Sequence, residues 1–504
     1  MNGHEKSDPA PGPGAGAGAV AMKLANEAGQ PAKESVERRA GAEGNADRRS
    51  THRAQIRARV TQALDRVRQV ARQRKKERFT ALLHHVNPDT LRTAFYALKR
   101  KAAPGADGVT WEDYEADLEP RLEDLHGRIH RGAYRPQPSR RTYIPKADGR
   151  QRPPRVKPVG RRLTDALVVG IADRKVNYIL DADIRSFFDT VSQEWLIRFV
   201  EHRVGDKRIV RLIQKWLRAG ILEDGTVTVS DRGTGQGSVI SPLLANIYLH
   251  YVLDLWVERW RRREATGDMI IVRGACPRAA QSADPGADDL VAGFEHEADA
   301  RRFLDEMRAR FAEFSLSLHP DKTRLIEFGR HATANREQRG LGKPETFDFL
   351  GFTFISGKSR NGKFLIHRKS RRDRVRAKLK EIKEELRRRM HGPVREQAEW
   401  LKQVVAGFFQ YHAVPTNGRA LAAFRYHVID LWRCTLRRRG QKHRMTWARI
   451  GKLADDWLPK PRILHPWPNQ RFAVKHPRWE PYAGKPHVRF CAGCALKSAL
   501  NSVV

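Results

Sequence analysis

The segment that most limits the fold is Lys175–Ile184 (KVNYILDADI), a near-continuous apolar run that breaks into acids at its end. Such a run suits a strand buried on both faces, with carboxylates delivered at its C-terminal edge. Buried carboxylates are costly unless they are paired or bound to metal, so the tip of this strand calls for a cation. Met269–Val272 and Leu290–Phe294 read as two further strands forming a hairpin, and Asp288 and Asp289 stand immediately before the second. Between them GACPRAAQSADPGADD has the composition of a loop. If Asp183, Asp288 and Asp289 converged from two strand edges, they would make a hard-oxygen site suited to Mg2+. Phosphoryl transfer uses that arrangement, with two ions roughly 3.5–4 Å apart, one activating a 3′-hydroxyl and one steadying the leaving pyrophosphate. Taken alone, an Asp-Asp pair before an apolar run is more often a surface turn.

These acids stand out because the chain is otherwise basic. Its 504 residues hold 96 Lys and Arg against 58 Asp and Glu, a formal net charge of +38, which points to a polyanion as partner. A 40% hydrophobic content excludes a wholly disordered basic protein. Cys276, Cys434, Cys491 and Cys494 are too few and too uneven for a disulfide framework, which fits a reducing compartment. Cys491 and Cys494 form a lone C-x-x-C with no second pair nearby, so zinc is not expected. No secretory signal is evident. Ser238–Val257 is the best membrane candidate, with Asp254 as its one formal charge. Its Ser241, Pro242, Asn246 and His250 favour a buried helix of a water-soluble protein, and no membrane partner is expected.

Residues 1–50 (PAPGPGAGAGA, then Ala, Gly, Glu and Arg without an apolar period) are expected to be disordered. Thr51–Phe79 reads as a basic helix, and Asn87 or Asp89 would cap the next. APGADGVTW is a turn cluster, Tyr114–His130 is helical, and Arg140–Pro145 is a short strand before the turn KADGRQR. Glu194–Leu217 is expected to form one amphipathic helix. Arg368–Met390 reads as another, with 12 Lys and Arg against 4 acids and an apolar stripe of Val375, Leu379, Ile382, Leu386 and Met390. Trp400–Tyr411 and Ala420–Arg439 continue the helices. From Pro461 the chain is basic, proline-interrupted and aromatic-rich, suited to stacking bases or following a nucleic-acid backbone.

Several motifs occur in a fixed order: DIRSFFD (Asp183–Asp189), GTGQGSVISPLLANIYLH (Gly233–His250), ADDLVAGF, SLSLHPDKTRLIEFGR and FDFLGFTF. Together they resemble the palm motifs of reverse transcriptases encoded by group II introns, the intron reverse transcriptase/maturase family. AAPGADGVTW and RRTYIPKADGRQRP extend the resemblance upstream. VVAGFFQYHAVPTN, MTWARIGKL and LPKPRILHPWPNQRFAVKHPRWEPYAGKPHVR extend it downstream, so it covers roughly residues 70–495.

The resemblance implies an α+β fold: right-hand polymerase-like fingers and palm with an antiparallel palm sheet over residues 51–360, then a helical thumb and maturase region (domain X) over 361–460. A basic, aromatic-rich tail follows over 461–504. It implies Asp183, Asp288 and Asp289 as the metal-binding, catalytic carboxylates. Phe188 would exclude a 2′-hydroxyl, Lys146 and Arg152 would grip the triphosphate, and Gln236 and Gly237 would lie under nucleotide and template. Lys322 matches the basic residue of the following palm motif, and Gly351 lies in the primer-gripping hairpin. Implied partners are intron RNA, a DNA target or primer, and deoxynucleoside triphosphates with Mg2+; a homodimer is one assembly open to such a chain. The implied compartment is the cytoplasm, and the nucleoid when bound to DNA. A His- and Cys-rich endonuclease region does not follow, so second-strand cleavage is not expected.

The chain departs from the family's pattern in two places. After Arg152-Pro153 it runs almost directly into VKPVGRRLTDALVVGI, so part of the fingers is missing. Where a single tyrosine is expected before Ala287-Asp288-Asp289, it carries Gly274–Gly286. This extra loop is expected to break the hairpin register on its N-terminal side. Gly235 in place of proline and Ser238 in place of glycine are milder changes.

Overall fold

A computed structural model describes residues 41–74, 76–98, 100, 104–140, 160–223, 226–234, 240–274, 289–439 and 445–475. Its contacts divide the chain into residues 1–55 and 56–504. The described part of the first unit is the opening of helix Gly41–Gln73. Residues 41–50, expected to be disordered, lie within this helix.

The strands of the second unit are, in chain order, β1 (Ser139–Arg140), β2 (Tyr178–Asp183), β3 (Ile221–Glu223), β4 (Thr226–Thr228), β5 (Met269–Arg273), β6 (Asp289–Phe294), β7 (Arg324–Glu327), β8 (Phe347–Phe349), β9 (Phe352–Lys358) and β10 (Phe364–Ser370). The main sheet has the order β5-β6-β2-β7 and is antiparallel throughout. As its apolar run requires, β2 is central and buried on both faces. Leu180 and Ala182 enter one core, with Val200, Tyr248, Leu249, Phe303 and Phe311 from flanking helices. Ile179 enters another, with Val291, Ile326 and the phenylalanines of β8 and β9. The second sheet has the order β10-β9-β8. Leu350 and Gly351 form its β8–β9 turn, with φ of 47° and 83°, a conformation that tightens the chain reversal and favours glycine. The Tyr411 hydroxyl donates to the Leu350 carbonyl at 2.6 Å, fastening this turn to helix Val394–His412.

Helix Ser241–Leu249 passes through a single π turn, His250–Asp254, into helix Leu255–Arg263. Asp254, the lone charge of the apolar stretch, receives the Arg273 guanidinium at 2.7 and 2.8 Å, and Arg273 also donates to Asn246 at 3.1 Å. Burial opposes the Asp254 charge, but Arg273 and His250 hold its carboxyl below the usual range. Among the described residues no helix is long and apolar enough to cross a membrane.

Several helical expectations need correction: the helix expected over Thr51–Phe79 ends at Gln73, and that over Tyr114–His130 is broken at Asp117. Glu194–Leu217 is two helices, Gln193–Glu201 and Lys207–Leu217. Asp206 breaks the run by capping the second at the Arg208 N–H, while it also accepts from the Leu82 and Leu83 N–H groups at 2.8 and 3.0 Å. The basic helix starts at Arg372 and not at Arg368, because Arg368 lies in β10. There it is only 2% exposed and pairs with Asp165 of helix Gly160–Asp173 at 2.6 Å; Arg471 of helix Pro468–Lys475 bonds the other oxygen of the same carboxylate. Helices Arg372–Arg388, Val394–His412, Gly418–Arg437 and Trp447–Trp457 share a core of Ile382, Leu386, Leu401, Phe409, Phe424 and Trp432. Its single buried indole N–H is answered by Gln397 at 3.1 Å.

Candidate active site

Asp183 closes β2 directly opposite Asp289, the first residue of β6. Two carboxylates therefore leave adjacent strands at the same edge of the main sheet. Asp181, two residues earlier on the same face, lies among them. Its burial pushes the carboxyl up to about 6 against the pull of Arg324, with Asp348 and Asp183 adding to the rise. Asp348 of β8 faces Arg371 at 3.4 Å, and the Arg371 guanidinium also feels Asp289. The Lys322 ammonium lies 2.5 Å from Asp183 Oδ2. The edge thus assembles Asp181, Asp183, Asp289 and Asp348 with Lys322, Arg324 and Arg371. Sequence reading missed Asp181, Asp348, Arg324 and Arg371; only the alternate spacing of Asp181 and Asp183 on one strand face signals the first of them.

After Asp183 the chain turns through Ser186, at φ 46°, into the helical turn Phe187–Thr190. Phe187 is buried, and Phe188 is half-buried edge-on to it at 5.4 Å. The Phe188 carbonyl accepts from the Thr234 N–H at 2.8 Å, and the Gly233 N–H donates to Val191 at 2.7 Å. Gly233, at φ 82°, lies so close that a Cβ would stand 2.7 Å from the Phe188 oxygen. The base of the GTGQGS loop is thereby docked on the Phe188 turn. Gln236 and Gly237 of that loop, together with Lys146, Arg152 and Asp288, lie outside the described residues. Gly351 is set in the β8–β9 turn, where its carbonyl accepts from the Arg371 N–H at 3.1 Å.

The expected break in the hairpin does not occur. Met269 to Arg273 pair with Phe294 to Leu290 without interruption, and the Gly274 N–H still donates to the Asp289 carbonyl at 2.8 Å. Arg273 is anchored by Asp254 and Asn246, so the ladder holds its register up to the first inserted residue.

Among the described residues no group of three His, Cys, Asp or Glu side chains could by itself hold a metal ion. What is present fits one in kind: Asp183 and Asp289 are paired hard-oxygen donors, and Asp183 is reachable, with a side chain 18% exposed.

A family profile described as "Reverse transcriptase (RNA-dependent DNA polymerase)" matches residues 114–354. The YkfC protein of Escherichia coli is 26% identical over 316 residues, covering 52% of this chain and 78% of that protein. The group II intron-encoded protein LtrA of Lactococcus lactis is 26% identical over 233 residues, which is 38% of each chain; this chain thus spans well under half of LtrA's length. An apo telomerase structure from Candida tropicalis covers 78% of this chain and 55% of its own at 12% identity, with a TM-score of 0.33, too loose a superposition to bear on the argument. The enzymes of the matched family use a divalent metal and act on nucleic acid. Residues 114–354 thus carry a reverse transcriptase domain by similarity, and the proteins this chain resembles include group II intron-encoded proteins.

Proposed function

We propose that this chain is an intron-type reverse transcriptase with maturase function: it binds intron RNA, assists splicing and mobility, and copies RNA into DNA from deoxynucleoside triphosphates. The observation that carries this reading is the facing pair Asp183 and Asp289 at the edge of an antiparallel sheet inside a reverse transcriptase domain. Asp183 and Asp289, with Asp288, would hold Mg2+, which when bound lowers the cost of charge on the attacking and leaving oxygens. The chain's own part is placement. The Phe188 ring, fixed by Phe187 and by the Thr234 bond to its carbonyl, forms the wall that excludes a 2′-hydroxyl. Lys146 and Arg152 grip the triphosphate, Gln236 and Gly237 support nucleotide and template, and Lys322, the basic residue of the following palm motif, completes the nucleotide-binding set. The primer 3′-hydroxyl attacks the α-phosphate in line and pyrophosphate leaves. The protein would work in the cytoplasm and on the nucleoid, as a monomer or a homodimer.

The inserted loop and shortened fingers favour a second reading, an inactive RNA-binding maturase. One assay separates the two: deoxynucleotide incorporation on a primed RNA template with Mg2+, by the chain as it stands, by a version with Gly274–Gly286 replaced by one tyrosine, and by Asp183→Ala. We expect incorporation by the first two and none by Asp183→Ala. Failure of both active versions would leave only RNA binding to defend.

A further inference from the structure

Lys322 is not placed on Asp183 by chance of a long side chain. The loop that carries it is stitched to the same residue: the His319 N–H donates to the Asp183 carbonyl at 2.8 Å, Leu318 bridges Ile184, and the Arg185 N–H donates to Ser317 at 2.8 Å. Within the loop, the Thr323 N–H returns to the His319 carbonyl at 3.0 Å, fixing the tip on which Lys322 sits. The backbone therefore holds the ammonium over Asp183 Oδ2, while the lysine side chain itself remains 60% exposed. An exposed ion pair of this kind is weak and easily exchanged. Around it Asp348 and Asp183 both bear on the half-buried Asp181 carboxylate, so a positive charge at Asp183 relieves the edge.

We propose that Lys322 is a built-in competitor of the divalent cation: ammonium and metal bid for the same Asp183 oxygen, and metal loading displaces Lys322 from it. The proposal rests on the reading of Asp183 as a metal ligand. It gives Lys322 a role before any nucleotide arrives, setting how much free cation the site needs.

The test is Mn2+ binding to the full chain, read as loss of the free-ion signal in electron paramagnetic resonance. It compares wild type, Lys322→Met, Lys322→Arg and Asp183→Asn, with circular dichroism confirming that each variant is folded. Lys322→Met should bind Mn2+ about fivefold more tightly than wild type, the scale set by an exposed ion pair. Lys322→Arg, which keeps the charge, should stay near wild type, and Asp183→Asn should lose the site. Equal affinity in wild type and Lys322→Met, with Asp183→Asn still deficient, would overturn the competition and leave the metal reading standing. A Mn2+ stoichiometry unchanged by Asp183→Asn would overturn both.

Discussion

His412 is half-buried among Ser370, Phe408 and Asn417, with its Nδ1 3.1 Å from the Ser370 hydroxyl and the Phe408 ring stacked on it at 4.3 Å. Burial first, and then the Arg374 charge, push its imidazole down to about 3. An unfolded chain would protonate the same ring near pH 6.5, so between these values the unfolded state binds a proton that the folded state refuses. The contribution of His412 to stability is therefore fully present above about pH 6.5 and is lost as pH falls toward about 3. Urea unfolding across that window should show the midpoint dropping with acid, and His412→Gln should flatten the profile. The same scale shows what was readable from the residues alone. Asp183 and Asp289 were legible because acids on apolar strands are conspicuous. Asp348 and Arg371 were not, since each is an ordinary surface residue until β8 is folded against the main sheet.

At the level of elements, the β5–β6 ladder stays paired up to the point where the inserted loop leaves it, at the same end of the hairpin as Asp289. Arg273 and Leu290 are paired, so replacing Gly274–Gly286 by one tyrosine leaves Tyr-Ala-Asp-Asp to close the hairpin between them. Two successive halvings of the loop should make folding about 1 kcal/mol more favourable through closure entropy. Chemical denaturation of the two versions checks this, and a large loss of stability in the shortened one would mean that the loop carries packing of its own. Strand β2 and the hairpin were legible because burial on both faces leaves a continuous apolar run. The break at Asp206 was hidden because its cap is shared with Leu82 and Leu83, more than a hundred residues away in the chain. The start of the basic helix was hidden for the opposite reason: Arg368 sits in a cationic run yet is the most buried charge in it.

At the scale of the whole molecule, part of the +38 charge is gathered on one helix. Along helix Arg372–Arg388 the exposed cations Arg372, Arg376, Lys380, Lys383 and Arg387 recur at helical spacing in a stripe flanking the buried face of Ile382 and Leu386. Such a stripe suits a phosphate backbone, and RNA affinity should fall steeply with salt. Replacing Arg376, Lys380 and Lys383 by glutamine should reduce the slope of log affinity against log salt by roughly 2, the value for three single-strand phosphate contacts. Filter binding over a salt series measures it; an unchanged slope would place the RNA elsewhere. The shared carboxylate of Asp165 carries a different consequence, one of timing. Its two guanidinium partners are encoded 203 and 306 residues downstream. At roughly 5–20 residues per second, a ribosome would finish the helix bearing Asp165 many seconds before Arg368, and longer still before Arg471. The helix can emerge early, but its burial must wait: the emerging chain keeps this acid in water until the segment that neutralises it has been made, and the last lock closes only when the far helix leaves the exit tunnel.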